Sequence, residues 1–559
     1  MGWLVTRRPA LAAAAVAFGI VVSPLVALAP AVAQTPPGQP TEVAIVVAIT
    51  VPESETGLID AAELENYTSE FGLLTRELDH VIDRPVTLAI DPRIIASIRI
   101  LGSSAPESAV AWLDRLDAAT NETFALGWAD SDLTLGLEAG SGSVLSPESL
   151  DFAIDPALFG AAVPEADPSA TPTAAPTQDP TDDSPPPLAT TESLLAWDYT
   201  LPSVAWPEAG TVSTGTLATL TSTFDSTLLA SANLTGLSGL NSTATVNGAG
   251  TLVIDSPLST LFSTTVASAP GANFDTAVAS LGIAMTSAAT APGASSAIIT
   301  LDRDVALSST NVAATLDAIA LNPAVQLVGL SAVADNAAGT ATLVDMPQDP
   351  TAVAAVAGLL EQEELDREFS QIAETPSLIT SERRLSLLAT LSNQWDSNPA
   401  GWVTAIDDYR AASTDLRSSV AIIKSSSITL LSDRGSLPVT VSNDLDQPVT
   451  VYITVRPLTP LLRVENSRVE LTVEPNSQRK AQIPVQSISN GVVELEISLH
   501  GAAAQQIGYT TYVRTTVQAG WETPFTVVVA IVVFLVFAVG IVRTVLRRRR
   551  LRTEREIGA

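Results

Sequence analysis

Six acidic side chains stand at the downstream ends of short apolar runs. Asp91 follows Val86–Ile90, Asp130 and Asp132 follow Phe124–Trp128, and Glu208 follows Val204–Trp206. Asp255 follows Leu252–Ile254, and Asp302 follows Ile298–Leu301. If these runs are parallel strands, their ends share one edge of a sheet and the carboxylates converge there, where α/β folds bind ligands. Two converging carboxylates, one raised in pKa as an acid and one ionised, are what glycoside hydrolysis needs. The same residue types serve plainer ends, since Asp before Pro or Ser caps the next helix or forms an Asx turn. Ala-Ile-Asp-Pro occurs at 89–92 and again at 153–156, so the turn chemistry itself recurs. Capping is therefore the first expectation for these six residues, with glycan binding without chemistry and catalysis as the alternatives.

Other chemistries lack their residues. The chain has two histidines, His80 and His500, far apart in sequence, and no cysteine. A His-rich metal site of the deacetylase kind is not expected, nor thiolate chemistry or a disulfide. His80 closes a helical stretch, where the helix dipole favours its imidazolium. No G-x-S-x-G occurs between residues 41 and 345, so a nucleophilic serine elbow is unsupported. No cofactor is expected.

The elements that would position the carboxylates follow from periodicity. From 41 to 345, apolar runs of four to eight residues, which read as strands buried on both faces, alternate with helical stretches. The helical stretches are Ala61–Leu78, Glu107–Ala119, Asn273–Ala288 and Val305–Ala320; Leu64, Tyr67, Phe71, Leu74 and Leu78 share one face of the first. Such alternation predicts an α/β barrel or open α/β sheet. Residues 164–187 hold eight prolines and no Lys or Arg, and read as an extended insertion. The pattern turns helical over 350–422, where Leu385, Leu388 and Trp395 share a face and Trp402, Ile406 and Tyr409 continue it after Pro399. Over 425–518 it switches to period two, as in Val449–Val455 and Val493–Leu499, which predicts about seven strands in an immunoglobulin-like sandwich.

The chain ends predict where these units sit. Phe525–Val542 is uncharged and runs into Arg543 and Arg547–Arg550, a membrane span by length with its basic side on the cytoplasm. The span is expected over 525–546 and a basic cytoplasmic tail over 547–559. Arg7 and Arg8, the apolar Ala10–Ala29 and the A-x-A site at Ala31–Ala33 predict a signal peptide, 1–33, cut between Ala33 and Gln34. Net charge is −32, and nine of the 28 basic residues lie in those two end segments. The external part is thus strongly acidic, which repels nucleic acid.

Leu437-Pro-Val-Thr-Val-Ser-Asn-Asp-Leu-Asp-Gln-Pro-Val-Thr-Val451, the Ser489–Val493 turn and the Trp521–Arg550 anchor resemble an uncharacterised actinobacterial family of exported, single-pass envelope proteins. The resemblance implies a gene commonly found beside the lipid II flippase of peptidoglycan synthesis. It also implies a glycosidase- or deacetylase-like barrel, a likeness resting on Asp91-Pro92 and Ala129–Asp132, and it supplies no catalytic residues. The expected protein is a membrane-anchored scaffold, or a binder of cell-wall glycan or of cell-wall synthesis proteins in the membrane. The alternative is a tethered glycan hydrolase using the strand-end carboxylates.

Overall fold

The computed structural model describes residues 40–159, 189–201, 203–237, 239–424, 428–430, 432–518 and 522–556. The signal segment with Ala33 and Gln34, and the proline-rich stretch 164–187, lie outside the described residues. The chain is a multidomain α/β protein with mixed sheets and one C-terminal apolar helix.

Eleven strands form the first sheet: β1 (Thr41–Ile49), β2 (Thr87–Ile90), β3 (Glu122–Ala125), β4 (Val204–Ala205), β5 (Ser226–Ala230), β6 (Leu234–Thr235), β7 (Thr243–Val246), β8 (Ala249–Ile254), β9 (Ser296–Thr300), β10 (Val325–Val328) and β11 (Gly339–Leu343). Parallel pairing runs β3-β2-β1-β9-β8-β5-β4, with β10 alongside the start of β1. The sheet curls so far that the lead-in to β4 meets β3: Leu201 N–H donates to the Thr123 carbonyl at 3.0 Å. Side-chain alternation along β1 then feeds two cores. Val43, Ile45, Val47 and Ile49 face the outer helices, while Ala44, Val46 and Ala48 point inward with Ala89, Phe124, Leu228 and Ile298. Seven strands contribute to that inner cluster, which only the inside of a curled sheet allows.

Several local expectations change. Ala61–Leu78 is two helices, Ala61–Thr68 and Leu73–Val81, and Phe71 at the break is 77 % exposed instead of buried. The chain doubles back so tightly there that a Cβ on Gly72 would strike the carbonyl of Tyr67. Val305–Ala320 likewise divides into Arg303–Ser308 and Val312–Ala320, because Asn311 turns its amide onto the carbonyls of Val266 and Ser268. Trp128 lies beyond its strand, in a 3-10 turn. The hairpin β7–β8 was not expected, although its turn carries Asn247-Gly248 with φ of 52° and 88°, the Asn-Gly signature of a two-residue turn.

Three helices follow, Pro350–Ser370, Pro376–Thr390 and Pro399–Ser418, each with proline in its first turn, where no N–H partner is lost. Leu385, Leu388 and Ala389 of the middle helix pack on Ala96, Trp128 and Leu150 at the strand ends of the curled sheet. On another face the buried Asp366 accepts from Arg383 Nε at 3.0 Å and Ser413 Oγ at 2.7 Å, and so ties the three helices together.

Residues 420–517 build a four-stranded and a five-stranded sheet, with alternate residues buried between them. That makes nine strands among the described residues, against the seven or so expected. Phe369 and Ile372 of the helical unit enter this core, and Thr450 N–H donates to the Ile372 carbonyl at 2.8 Å. The last helix, Glu522–Glu556, contains a stretch Phe525–Arg549 long and apolar enough to cross a bilayer, none of it buried against the protein. Phe525 and Val542 are exposed, and the same helix continues through Arg543 and Arg547–Arg549.

Candidate functional site

The strand ends converge as the parallel pairing dictates, but their carboxylates have different fates. Asp91 caps Pro92–Ile100: its Oδ1 accepts the N–H of Arg93 and the N–H of Ala129, both at 2.9 Å. The Arg93 guanidinium lies 3.4 Å from its other oxygen, and both side chains are fully buried. Burial pushes the Asp91 carboxyl up, opposed by Arg93. Asp255 caps Ser256–Val266 by accepting from Leu258 N–H at 2.9 Å, and burial raises it too. Asp132 accepts from the N–H groups of Thr134 and Leu135 at 2.7 and 3.0 Å, while Gln348 donates to its second oxygen. Asp302 opens Arg303–Ser308 with an exposed side chain and no cap bond.

Asp130 and Glu208 are drawn together by a residue that periodicity did not single out. Arg303 Nε lies 2.6 Å from Asp130 Oδ2, and Arg303 Nη1 lies 3.2 Å from Glu208 Oε2. The guanidinium also stands 4.3 Å above the Trp206 ring and donates to the Trp206 carbonyl at 3.3 Å. Burial disfavours the cation, but Asp130 and Glu208 more than offset it, so Arg303 is held above its ordinary value.

Asp130 is delivered by an unusual backbone. Ala129 and Asp130 both take left-handed conformations, φ 58° and 50°, which cost energy for residues with a Cβ. Asp91 fixes this turn from one side by accepting the Ala129 N–H, and Asn393 from the other by donating to the Asp130 carbonyl at 2.9 Å. Gln394 Nε2 reaches both Asp130 Oδ2 and Thr50 Oγ1 at 3.3 Å. The connection after Pro376–Thr390 thus covers the strand ends. Burial pushes the Asp130 carboxyl up to about 6, with Arg303 opposing and the Asp91 and Glu208 carboxylates adding to it.

Beside this pair lies a cavity of about 300 Å³ whose lining includes Trp206, Glu208, Asp302, Asp304, Asn393 and Asp396. Asp396 is solvent-accessible at its edge, yet loss of solvent and the neighbouring Glu208, Asp132 and Asp304 carboxylates raise its pKa to about 6. Asp304 is raised by burial and by Asp302. Chemically the cavity offers carboxylate and amide acceptors to a ligand rich in hydroxyl or ammonium donors. Sequence reasoning missed Arg303, Asn393, Gln394 and Asp396. For Arg303 a signal existed, because it directly follows the strand-end Asp302; for the other three, ninety residues further on, none did.

Among the described residues, Trp128, Trp206 and Trp395 form no open shelf. Trp128 is 3 % exposed and donates Nε1–H to the Gly57 carbonyl at 3.0 Å; Trp206 is 7 % exposed beneath Arg303. Trp395 is buried as well, donating to the Ala389 carbonyl. Among the described residues, no group of three His, Cys, Asp or Glu side chains is placed to hold a metal ion. Burial pushes His80 down, so the neutral imidazole is favoured there, against the expectation from the helix dipole.

These features define a multidomain α/β protein whose strand-end cleft carries its own arginine and whose last helix is unburied and apolar. The chain belongs to the family described as "Family of unknown function (DUF6049)", whose match spans residues 22–553. No curated protein matches the chain. Among solved structures, E. coli alpha-2-macroglobulin is similar at 16% identity and a TM-score of 0.15, over 18% of this chain and 7% of that one. WR4, a C. elegans MSP family member, is similar at 13% identity and a TM-score of 0.15, over 18% of this chain and 99% of that one. The E. coli chaperone DraB is similar at 13% identity and a TM-score of 0.15, over 18% of this chain and 55% of that one. This chain spans 7% and 16% of the two macroglobulin chains it matches, and likeness of this depth defines no fold.

Proposed function

We propose that this is an exported, membrane-anchored cell-envelope protein that binds cell-wall glycan, or membrane proteins of cell-wall synthesis, without chemistry at its strand ends. The observation that carries the non-catalytic reading is Arg303, ion-paired to Asp130 at 2.6 Å and Glu208 at 3.2 Å. A general acid or nucleophile needs a carboxylate free to meet substrate. Asp130 is sealed and paired, while Asp91, Asp132 and Asp255 are occupied by backbone N–H groups. In this reading the curled sheet is a glycosidase- or deacetylase-like barrel that retains the cleft but not the reaction. The acceptor-rich cavity takes sugar hydroxyls or an amino group. The paired sheets act as an immunoglobulin-like stalk above the outer face of an actinobacterial cell membrane, with the arginines after Val542 inside.

One observation favours the second reading, a glycan hydrolase. Asp396, raised to about 6 and accessible, stands close enough to Glu208 for that carboxylate to be a main cause of the rise. Such a pair resembles an acid and its ionised partner.

One experiment separates them. Full-length protein in detergent is incubated with purified peptidoglycan and with arabinogalactan, and both co-sedimentation and released sugar are measured. Co-sedimentation weakened by Glu208→Gln, with no sugar released, is expected. Reproducible sugar release that Asp396→Asn abolishes would overturn the binding reading in favour of the hydrolase. Neither binding nor release from any glycan leaves a protein partner as the ligand.

A further inference from the structure

The two ends of the sandwich over 420–517 meet different neighbours. At one end the helical unit docks: Glu374 N–H donates to the Pro448 carbonyl at 3.0 Å, and Asp444 N–H to the Ser419 carbonyl at 2.9 Å. At the other end the chain leaves for the apolar helix. There Val517 pairs with Gly491 and Leu430, Leu458 N–H donates to the Glu494 carbonyl at 3.0 Å, and Ile488 N–H to the Leu461 carbonyl at 2.9 Å. Leu458, Ile488 and Val492 gather at this second end and are 46 %, 53 % and 60 % exposed. Exposed aliphatics scattered singly need no explanation, but these three share the end that the membrane helix leaves from. Tyr509 and Tyr512, also exposed, lie further back along Gln506–Val517.

Chain length limits how far this end can stand from the bilayer. Three residues separate Gln518 from Glu522, a reach of about 14 Å when fully extended. Three more residues of helix, about 5 Å, lead to Phe525, where the uncharged run begins. The end of the sandwich is thus held within about 20 Å of the hydrocarbon, and the headgroup layer fills about 5–8 Å of that. Charge favours the same placement. Residues 40–419 carry 49 acidic and 11 basic side chains, whereas 420–518 carry eight of each. An anionic bilayer surface repels the first part and leaves the second free to approach.

We propose that this end of the sandwich rests on the lipid surface, with Leu458, Ile488 and Val492 set into the boundary between headgroups and acyl chains. The contact rests on the membrane-anchored reading and deepens it: the sandwich stands upright on the bilayer and holds the curled sheet at a fixed height. Three such side chains are too little to keep a free chain at a membrane, since even a single acyl chain binds only marginally. The span holds them at the surface, where a weak interaction suffices.

The chain has no cysteine, so one introduced cysteine gives a unique site for an environment-sensitive fluorophore. Full-length protein is placed in vesicles of phosphatidylcholine and phosphatidylglycerol, with and without phosphatidylcholine that carries a quenching nitroxide. Leu458→Cys, Ile488→Cys and Val492→Cys are labelled one at a time, with Ala503→Cys at the far end and Val533→Cys in the span as references. The first three and Val533→Cys are expected to lose most of their fluorescence to the nitroxide lipid, while Ala503→Cys keeps it. Adding Ile488→Glu to Leu458→Cys should restore the fluorescence, because a carboxylate resists entry into the apolar layer. Quenching at Val533→Cys alone would overturn the proposal, leave the anchor standing and assign the patch to a protein partner. No quenching at Val533→Cys would overturn both. Equal quenching at Ala503→Cys would mean that the sandwich lies along the bilayer, and would overturn the upright contact.

Discussion

Arg303 Nε lies 2.6 Å from Asp130 Oδ2, with both side chains nearly closed to solvent, so the strand-end cleft is built around a buried ion pair. Such a pair is worth little against an apolar substitute, yet breaking it from one side strands a charge. Arg303→Met is therefore expected to cost roughly 3–5 kcal/mol of stability in the curled-sheet unit. Hydrogen exchange of Gly127–Leu135 in denaturant reads the loss locally. Adding Asp130→Leu to Arg303→Met should restore part of it; no recovery would mean that Arg303 matters through its packing on Trp206.

The pH dependence follows from the same carboxyl. Burial holds Asp130 at about 6, above the ordinary value of an unfolded Asp, about 3.9. The folded state therefore binds this proton more tightly than the unfolded one. Its stabilising contribution is present below about pH 4, falls as pH rises toward 6, and is gone above that. About two pK units correspond to about 3 kcal/mol across this window. Asp130→Asn should flatten the stability–pH curve there relative to wild type. Denaturant titrations at pH 4, 5, 6 and 7 test it, and parallel curves for the two proteins would refute it.

Asp255 and Asp91 look alike in sequence but should respond differently to the same changes. Asp255 acts as a cap alone, so Asp255→Asn should be nearly neutral and Asp255→Ala should cost ~1 kcal/mol. Asp91 also neutralises the buried Arg93, so Asp91→Asn should already destabilise by several-fold more than Asp255→Asn. Thermal unfolding of the four single variants Asp255→Asn, Asp255→Ala, Asp91→Asn and Asp91→Ala provides the comparison.

Gly57 is where the helical cover meets the curled sheet. A Cβ there would run into the backbone of Leu385, and the Gly57 carbonyl already accepts from Trp128 Nε1–H. Gly57→Ala is expected to loosen the cover at a cost of roughly 1–3 kcal/mol, the usual range for overpacking. Faster exchange over residues 385–394, with 428–517 unchanged, is the expected pattern.

The apolar helix should decide where the protein fractionates. A chain ending at Gln518 lacks Phe525–Arg549 and is expected in the soluble fraction, whereas the full chain requires detergent. A truncated chain that still pellets with membranes would point to a second attachment.

Much of this architecture was legible because it is written locally. An apolar run ended by arginines, period-two alternation over 449–499, and apolar runs spaced by helical stretches each depend on neighbours a few residues apart. The capping of Asp91 and Asp255 is local in the same way, since the following residues supply the N–H groups. Even the missed hairpin at Asn247-Gly248 was written there. What sequence could not decide is which charges meet. Arg303 pairs with Asp130 across the curled sheet, Asn393 reaches Asp130 from 263 residues away, and Asp396 joins Glu208 at a cavity. Those meetings depend on the curl of the sheet and on where three helices come to rest over it, neither of which leaves a periodic trace. The carboxylates were therefore set at their strand ends by sequence alone, while tertiary structure decided which of them cap, which are sealed by an arginine, and which face open space.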